Sequence, residues 1–305
     1  MIGVVGHDAG AVEIISSHVL REGLDCIYCL DGPAVNVVAR KLGKVPLLPL
    51  DALVEQCEWM LCGTSFLSDL EWRAIWLARR AGKRSVVVLD HWVNYRQRFV
   101  RNDQWNWPDE VWVGDETAAL IAKEELPEVK QTLVPNSYFL DILDQISAMS
   151  ASPRTPCERL SVLYVTEPKR DFGLSLYGNE RHWGYTEDEA LRYFLSNVEI
   201  LRTPVNQIKI RPHPSESPKK YNWVKDEYDL PIVTGGTLTL IEEVAACDVV
   251  CGCGSMAMVV GLIAGRRVIS CIPPGGKPSG LPHREIESMQ SLVANRVNLP
   301  KNQKC

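Results

Sequence analysis

The sequence predicts an α/β protein with two Rossmann-like parallel sheets in tandem. Three observations carry this. Short apolar runs alternate with longer amphipathic stretches, as a parallel sheet covered by helices requires. A small-residue and proline stretch, Ser150–Pro156, interrupts the alternation, which then restarts. The length of 305 residues is about twice that of a typical domain of roughly 150.

In the first half, strands are expected at Ile2–Val5, Asp25–Leu30, Trp59–Cys62, Ser85–Leu89, Val111–Val113 and Gln131–Val134. Helices are expected over Val12–Arg21, Ala34–Leu42, Asp69–Ala81, Thr117–Glu125 and Ser137–Ala148. Residues 150–157 read as the linker, which separates a domain at 1–149 from one at 158–305. Beyond it, Ser161–Val165 is a strand. Thr186-Glu187-Asp188-Glu189 then opens a helix to about Leu201 as a capping box. Further strands follow at Ile208–Ile210, Ile232-Val233, Val249–Cys251 and Val268–Cys271, with helices at Leu238–Ala246 and Ser255–Ala264.

Composition removes several classes. Apolar residues make up 46% and charged residues 23%, the proportions of a soluble globular chain. With 38 acidic against 33 basic residues the net charge is −5, so no basic bulk exists to attract a nucleic acid. No window reaches the ~18 apolar residues of a membrane span. The N-terminus lacks the basic start and apolar stretch of a signal peptide, so a cytoplasmic protein is expected. The ten cysteines include Cys26/Cys29 and Cys247/Cys251/Cys253, both within apolar runs. They read as small core hydrophobes, not as metal or redox sites.

Ligands of open parallel sheets sit at the carboxyl ends of strands, so the loops after strands are the places to look for chemistry. The first, Gly6-His7-Asp8-Ala9-Gly10, is not a dinucleotide fingerprint. It places a histidine and an acid at a strand exit, among small residues that leave room for a ligand. The structural alternative is that Asp8 merely caps the helix. The second loop carries Asp90, His91, Trp92, Tyr95 and Arg96, with aromatic faces suited to a sugar and an arginine suited to an anion.

The third loop is Arg211-Pro212-His213-Pro214-Ser215-Glu216, where two prolines fix the backbone around a histidine at a strand exit. Such an imidazole beside Arg211 suits a phosphate leaving group. The fourth, Gly252-Cys253-Gly254-Ser255-Met256, passes from strand to helix and offers backbone N–H groups to an anion. It lacks the lysine of a phosphate loop and the flanking glycines of a nucleophile elbow. A fifth strand exit supplies Thr166 and Glu167 and leads into a polar loop reaching Tyr185. The helical residues Trp72, Trp76, Arg79 and Arg80 read as a core stripe with a basic end, and alternatively as a membrane-surface contact. No His-x-x-x-His, His-x-x-Glu or Asp-x-Asp pattern calls for a metal.

Together these loops resemble glycosyltransferases of the GT-B architecture, in which two Rossmann-like domains face each other across a cleft. The nearest pattern is that of the bacterial His-Pro-motif sialyltransferases and Kdo-type transferases. His213-Pro214 looks like their His-Pro motif, and Gly254-Ser255-Met256 looks like their hydroxyl motif, with one hydroxyl where the family often has two. The resemblance implies a CMP-linked sugar donor held by Arg211, His213, Pro214, Ser215, Thr166, Glu167, Gly254, Ser255 and Met256. Gly6, Gly10, Asp90, His91, Trp92, Tyr95 and Arg96 are the acceptor-side candidates.

The family's base lies in its first domain, where Asp8, or His7 beside it, is the nearest match. Asp90, His91 and Glu167 stand next in line. The implied reaction is an inverting, metal-independent transfer of a nonulosonic-acid or Kdo-type sugar to a glycan or glycolipid, with His213 assisting the leaving phosphate and no cofactor. It would contribute to bacterial surface polysaccharide at the inner membrane face. Rival readings are a nucleotide-sugar epimerase or hydrolase, a CDP-alcohol phosphotransferase, and a non-catalytic binder of anionic sugars.

Overall fold

A computed structural model describes residues 1–66, 68–149 and 158–297. The expected linker at 150–157 lies outside these described residues. The chain forms two compact units that divide between Asp141 and Ile142.

The first unit runs β1 (Ile2–Gly6), α1 (Ala9–Glu22), β2 (Cys26–Leu30), α2 (Pro33–Leu42), α3 (Leu50–Gln56), β3 (Trp59–Cys62) and α4 (Leu70–Arg80). It continues through β4 (Ser85–Leu89), the hairpin β5 (Val100–Arg101) and β6 (Gln104–Trp105), then β7 (Glu110–Val113), α5 (Glu116–Glu125) and β8 (Lys130–Leu133), and the division falls within α6 (Ser137–Met149). Six parallel strands stand in the order β2-β1-β3-β4-β7-β8. The inner strands read as continuous apolar runs because both faces are covered: every residue of β1 and β4 is buried. Val4, Val12, Ile15 and Leu61 form the core against α1 and α2, and each such side chain contributes roughly 1.5–3 kcal/mol on burial.

Two elements of this unit were not anticipated. Helix α3 is short and follows a proline at its N-cap, Pro49, which hides its periodicity. The hairpin turns through Asn102 and Asp103 with φ of 48° and 60°. Asn and Asp tolerate that left-handed region better than other side-chain-bearing residues, and two of them in succession form the tight turn.

The second unit runs β9 (Leu160–Val165), α7 (Lys169–Tyr177), α8 (Glu187–Leu195), a 3₁₀ turn (Val198–Leu201), β10 (Val205–Arg211), α9 (Val224–Glu227), β11 (Ile232–Thr234) and α10 (Leu240–Ala246). Next come β12 (Val249–Gly252), α11 (Met256–Ile263), β13 (Arg267–Ser270), β14 (Glu287–Ser288) and α12 (Met289–Val297). The sheet order is β11-β10-β9-β12-β13-β14, again parallel. Its core gathers Tyr164, Phe194, Ile208, Ile210, Tyr221 and Val224.

The capping box at Thr186 forms as expected, with Thr186 and Glu189 bonding each other's backbone N–H. The helix nonetheless ends at Leu195, because Asn197 turns its side-chain amide onto the Tyr193 carbonyl and the chain tightens into the 3₁₀ turn. The polar segment after Glu167, expected as a loop to Tyr185, instead begins with helix α7, which stops at Gly178 in the left-handed conformation.

Glu110 provides a pH-sensitive tie within the first sheet. Its side chain is 3% exposed and receives Arg84 at 2.7 Å and Lys130 at 3.0 Å, with Thr132 also donating. Burial pushes the carboxyl up, but the bonds from Thr132, Lys130 and Arg84 outweigh it and hold the group down at about 2. A carboxyl lowered by folding adds stability above its unfolded value of 4.5 and loses it as pH falls toward 2. Acid titration should therefore destabilise the wild type more steeply than Glu110→Gln between those limits, as read by the shift in Tm. Parallel acid curves would show that Glu110 carries none of this linkage.

Candidate functional site

Each sheet reverses its strand order once, and a ligand-binding crevice of this fold lies at that reversal. In the first unit the switch lies between β1 and β3, whose exits are Gly6-His7-Asp8 and Gly63-Thr64-Ser65. In the second it lies between β9 and β12, whose exits are Thr166-Glu167 and Cys253-Gly254-Ser255. The loops singled out in the sequence therefore fall at the two switch points or one strand away.

At the first switch point His7 and Asp8 form a dyad. His7 Nδ1 lies 2.6 Å from Asp8 Oδ1, which also accepts the Ser65 hydroxyl at 2.9 Å. A carboxylate oxygen can only accept, so the imidazole proton sits on Nδ1 and the neutral ring keeps its lone pair on Nε2. Asp8 occupies the N-cap position of α1, yet its side chain makes no capping bond. The carboxylate orients a histidine instead of closing a helix.

Two further groups set this geometry. Glu71, 3% exposed on α4, accepts the His7 backbone N–H at 2.8 Å and so fixes the loop. Burial pushes its carboxyl up, partly opposed by backbone N–H donors. Gly32, at φ +54°, lies against the far edge of the ring: a β-carbon there would come within 2.6 Å of Nε2. Glycine adopts that backbone and lets the ring edge pack there without a clash.

The second loop separates into one polar group and several structural ones. Asp90 accepts Arg98 at 3.1 Å, and Arg98, 9% exposed, also donates to Thr64. Arg101 donates to the carbonyls of Ser65 and Ser68. These arginines tie the β4 exit and the hairpin to the β3 exit.

The expectation that Trp92 and Tyr95 offer faces to a sugar is corrected. Both are buried, at 6% and 0%, and Trp92 donates its indole N–H to Asp115. His91 accepts the Trp92 backbone N–H, and Arg96 stacks over Trp105 and Trp107 while donating to the Glu125 carbonyl. The room expected at Gly6 and Gly10 is likewise already filled. A β-carbon at Gly6 would meet Val12 at 2.3 Å, and one at Gly10 would meet the Asp90 carboxylate at 2.0 Å.

In the second unit His213 is held from both sides. Its backbone N–H donates to Thr166 Oγ1 at 3.0 Å and to Glu216 Oε2 at 2.9 Å. Glu216 is buried and further bonded by Tyr221 and Lys220, which keeps its carboxyl low despite burial. On the ring, Nδ1 receives the Ser215 N–H at 3.2 Å and its hydroxyl at 2.8 Å. Nδ1 is therefore an acceptor, and the proton of the neutral ring sits on Nε2. Burial lowers the imidazole pKa, against the opposing pull of Glu216 and Glu167. The result is a neutral, oriented N–H donor at the carboxyl end of β10.

Arg211 does not join it. Its guanidinium binds Glu243 at 2.7 Å and the Leu238 carbonyl at 3.0 Å, and Lys209 binds the same carboxylate. The glycine-rich turn also has an internal partner: Gly254 N–H donates to Glu167 Oε1 at 2.6 Å, while Lys169 pairs with Glu167 Oε2 at 2.7 Å. Ser255 caps α11 by accepting the Ala257 N–H at 3.2 Å, and Met256 begins that helix half-buried. Pro214 is exposed beside His213.

Sequence reading missed Ser65, Gly32 and Glu71 at the first switch point. Ser65 follows a strand adjacent to β1, a signal available once the strand order is known. Glu71 lies within an amphipathic helix and carries no local signature. Cys29, Cys247, Cys251 and Cys253 are buried, and burial pushes the Cys253 thiol up to about 12.

No protein-family model matches the chain, and no curated protein matches it by sequence. Its fold does match solved structures along most of its length. A Listeria monocytogenes protein assigned as a UDP-N-acetylglucosamine 2-epimerase has a TM-score of 0.59 at 10% identity, covering 97% of this chain and 87% of that one. The UDP-GlcNAc 2-epimerase of Neisseria meningitidis, bound to UDP-GlcNAc, has a TM-score of 0.56 at 10% identity, covering 96% and 85%. An α/β-galactoside α-2,3-sialyltransferase of Photobacterium phosphoreum has a TM-score of 0.50 at 9% identity, covering 95% and 99%. The fold is of the GT-B type, with two Rossmann-like domains. Among the described residues no helix is long and apolar enough to cross a membrane.

Proposed function

We propose that the protein is a nucleotide-sugar-dependent enzyme that transfers a sugar to a hydroxyl acceptor with inversion. The observation that carries this reading is His213, whose Nδ1 is held by Ser215 so that Nε2–H is presented as a fixed donor. A donor fixed in advance stabilises charge on a departing phosphate without reorganisation during reaction. The His7–Asp8 dyad supplies the matching base: Nε2 of His7 takes the acceptor proton, and Asp8 stabilises the resulting imidazolium. Asp8 thus acts through His7. The bond to the anomeric carbon forms as the carbon–phosphate-oxygen bond breaks, and the electron pair leaves on the phosphate.

The finer reading is a CMP donor carrying a nonulosonic-acid or Kdo-type sugar, with a glycan or glycolipid acceptor in surface polysaccharide assembly. It rests on the His213-Pro214 and Gly254-Ser255 resemblance and on the sialyltransferase-like fold. A second reading is a nucleotide-sugar 2-epimerase, favoured by the higher fold similarity to two proteins of that description. Calorimetric titration with CMP, CDP, UDP and GDP decides the nucleotide class. Saturable binding of CMP alone supports the transferase reading. Binding of UDP alone moves the protein to another donor class, where dependence on acceptor separates transfer from epimerisation, and binding of none overturns both.

A further inference from the structure

The groove beside α4 shares no lining residue with the strand-exit loops described above. It encloses about 430 Å³ and is lined by Asp51 from α3, Trp72, Arg73, Trp76 and Leu77 from α4, and Gln104 from the hairpin. Trp76 is 41% exposed, an uncommon state for so large an apolar surface, and Arg80 lies 4.5 Å over its ring. The hairpin wall is fixed: Asn106 donates to the Trp72 carbonyl at 2.6 Å, and Arg101 holds the preceding loop.

We infer that this groove is a binding site for an uncharged oligosaccharide. Two indoles supply flat apolar surface for the C–H faces of pyranose rings, while the polar groups between them address the ring edges. Those polar groups are a carboxylate that accepts, a guanidinium that donates and an amide that does both. A hydroxyl needs both functions, and this mixed set meets that need. The formal charges of the lining residues Asp51 and Arg73 cancel, and the guanidinium of Arg80 is stacked on Trp76. Among the described residues no hydrogen bond or ion pair engages these three polar side chains, so they are available to a ligand, which would share the Trp76 ring with Arg80. The inference is independent of the donor nucleotide.

The test is saturation-transfer NMR and intrinsic tryptophan fluorescence on the whole protein with lactose, chitotetraose and maltoheptaose. A saturable signal with at least one of these probes is expected, weakened about tenfold or more in Trp76→Ala and also reduced in Asp51→Asn, in line with loss of a central aromatic contact. Nucleotide binding should be unchanged in both variants, which shows that the fold is intact and separates this site from the one at His213. Three outcomes overturn the inference. These are absence of a saturable signal with all three probes, binding that survives Trp76→Ala, and Trp76-dependent binding to phosphatidylglycerol vesicles without saccharide binding.

Discussion

His7→Gln is expected to reduce turnover by about a thousandfold, the middle of the range for loss of a general base, while leaving donor binding within about twofold. The direction follows from the hydrogen bonds. Asp8 Oδ1 accepts from both His7 and Ser65, so it cannot present that oxygen to a substrate proton without surrendering two partners. His7 holds its proton on Nδ1 and so keeps a lone pair on Nε2. Asp8→Asn keeps an acceptor for Nδ1–H but removes the charge that stabilises the imidazolium. Its loss should therefore be real but smaller, on the order of tenfold to a hundredfold. The reverse ranking, with Asp8→Asn inactive and His7→Gln nearly normal, would make Asp8 the base. Turnover measured with each variant, beside a nucleotide affinity that reports the fold, distinguishes the two.

His213→Ala should weaken nucleotide binding by roughly tenfold to a hundredfold, the cost of losing a hydrogen bond to a charged phosphate. Two controls sharpen it. His213→Gln places an amide N–H near the position of Nε2 and should recover part of the affinity, whereas Ser215→Ala frees the ring and should lose part of it. The pH dependence also has a definite sign. Burial lowers the imidazole pKa below its ordinary value, which favours the neutral ring, and the Nε2–H contact does not depend on protonation. Affinity should not fall as pH rises from about 7 to about 8. A fall across that range would mean that His213 binds as a cation.

Much of the fold was legible because the inner strands are buried on both faces and so appear as unbroken apolar runs. Ser85–Leu89 and Trp59–Cys62 were found to the residue. Edges were harder. Strand β8, exposed or half-buried along its length, was expected one residue late at Gln131–Val134, and β14, with only two residues, was missed.

Legibility of the site followed a different logic. Residues adjacent in sequence, such as His7-Asp8 and His213–Glu216, announced themselves because their mutual contacts are local. Ser65, Glu71 and Gly32 reach the dyad from other strands and helices, and only the sheet order β2-β1-β3 brings them there. Residue type misled in two cases. Trp92 and Tyr95 sit in a polar loop but serve the core, and Arg211 stands beside His213 in sequence while its guanidinium binds Glu243. Strand β10 ends at Arg211, whose side chain shares Glu243 with Lys209 two residues before it, while the chain beyond Pro212 is turned by the Thr166 and Glu216 bonds to the His213 N–H.

The most direct test of the central claim is to incubate CMP-linked and UDP-linked sugars with the protein, with and without a panel of hydroxyl acceptors, and to follow donor and product by NMR. The account predicts that one donor class is consumed in step with a new glycoside of inverted anomeric configuration, and only when acceptor is present. Conversion of the donor to an epimer, or its complete hydrolysis, without any acceptor would contradict it.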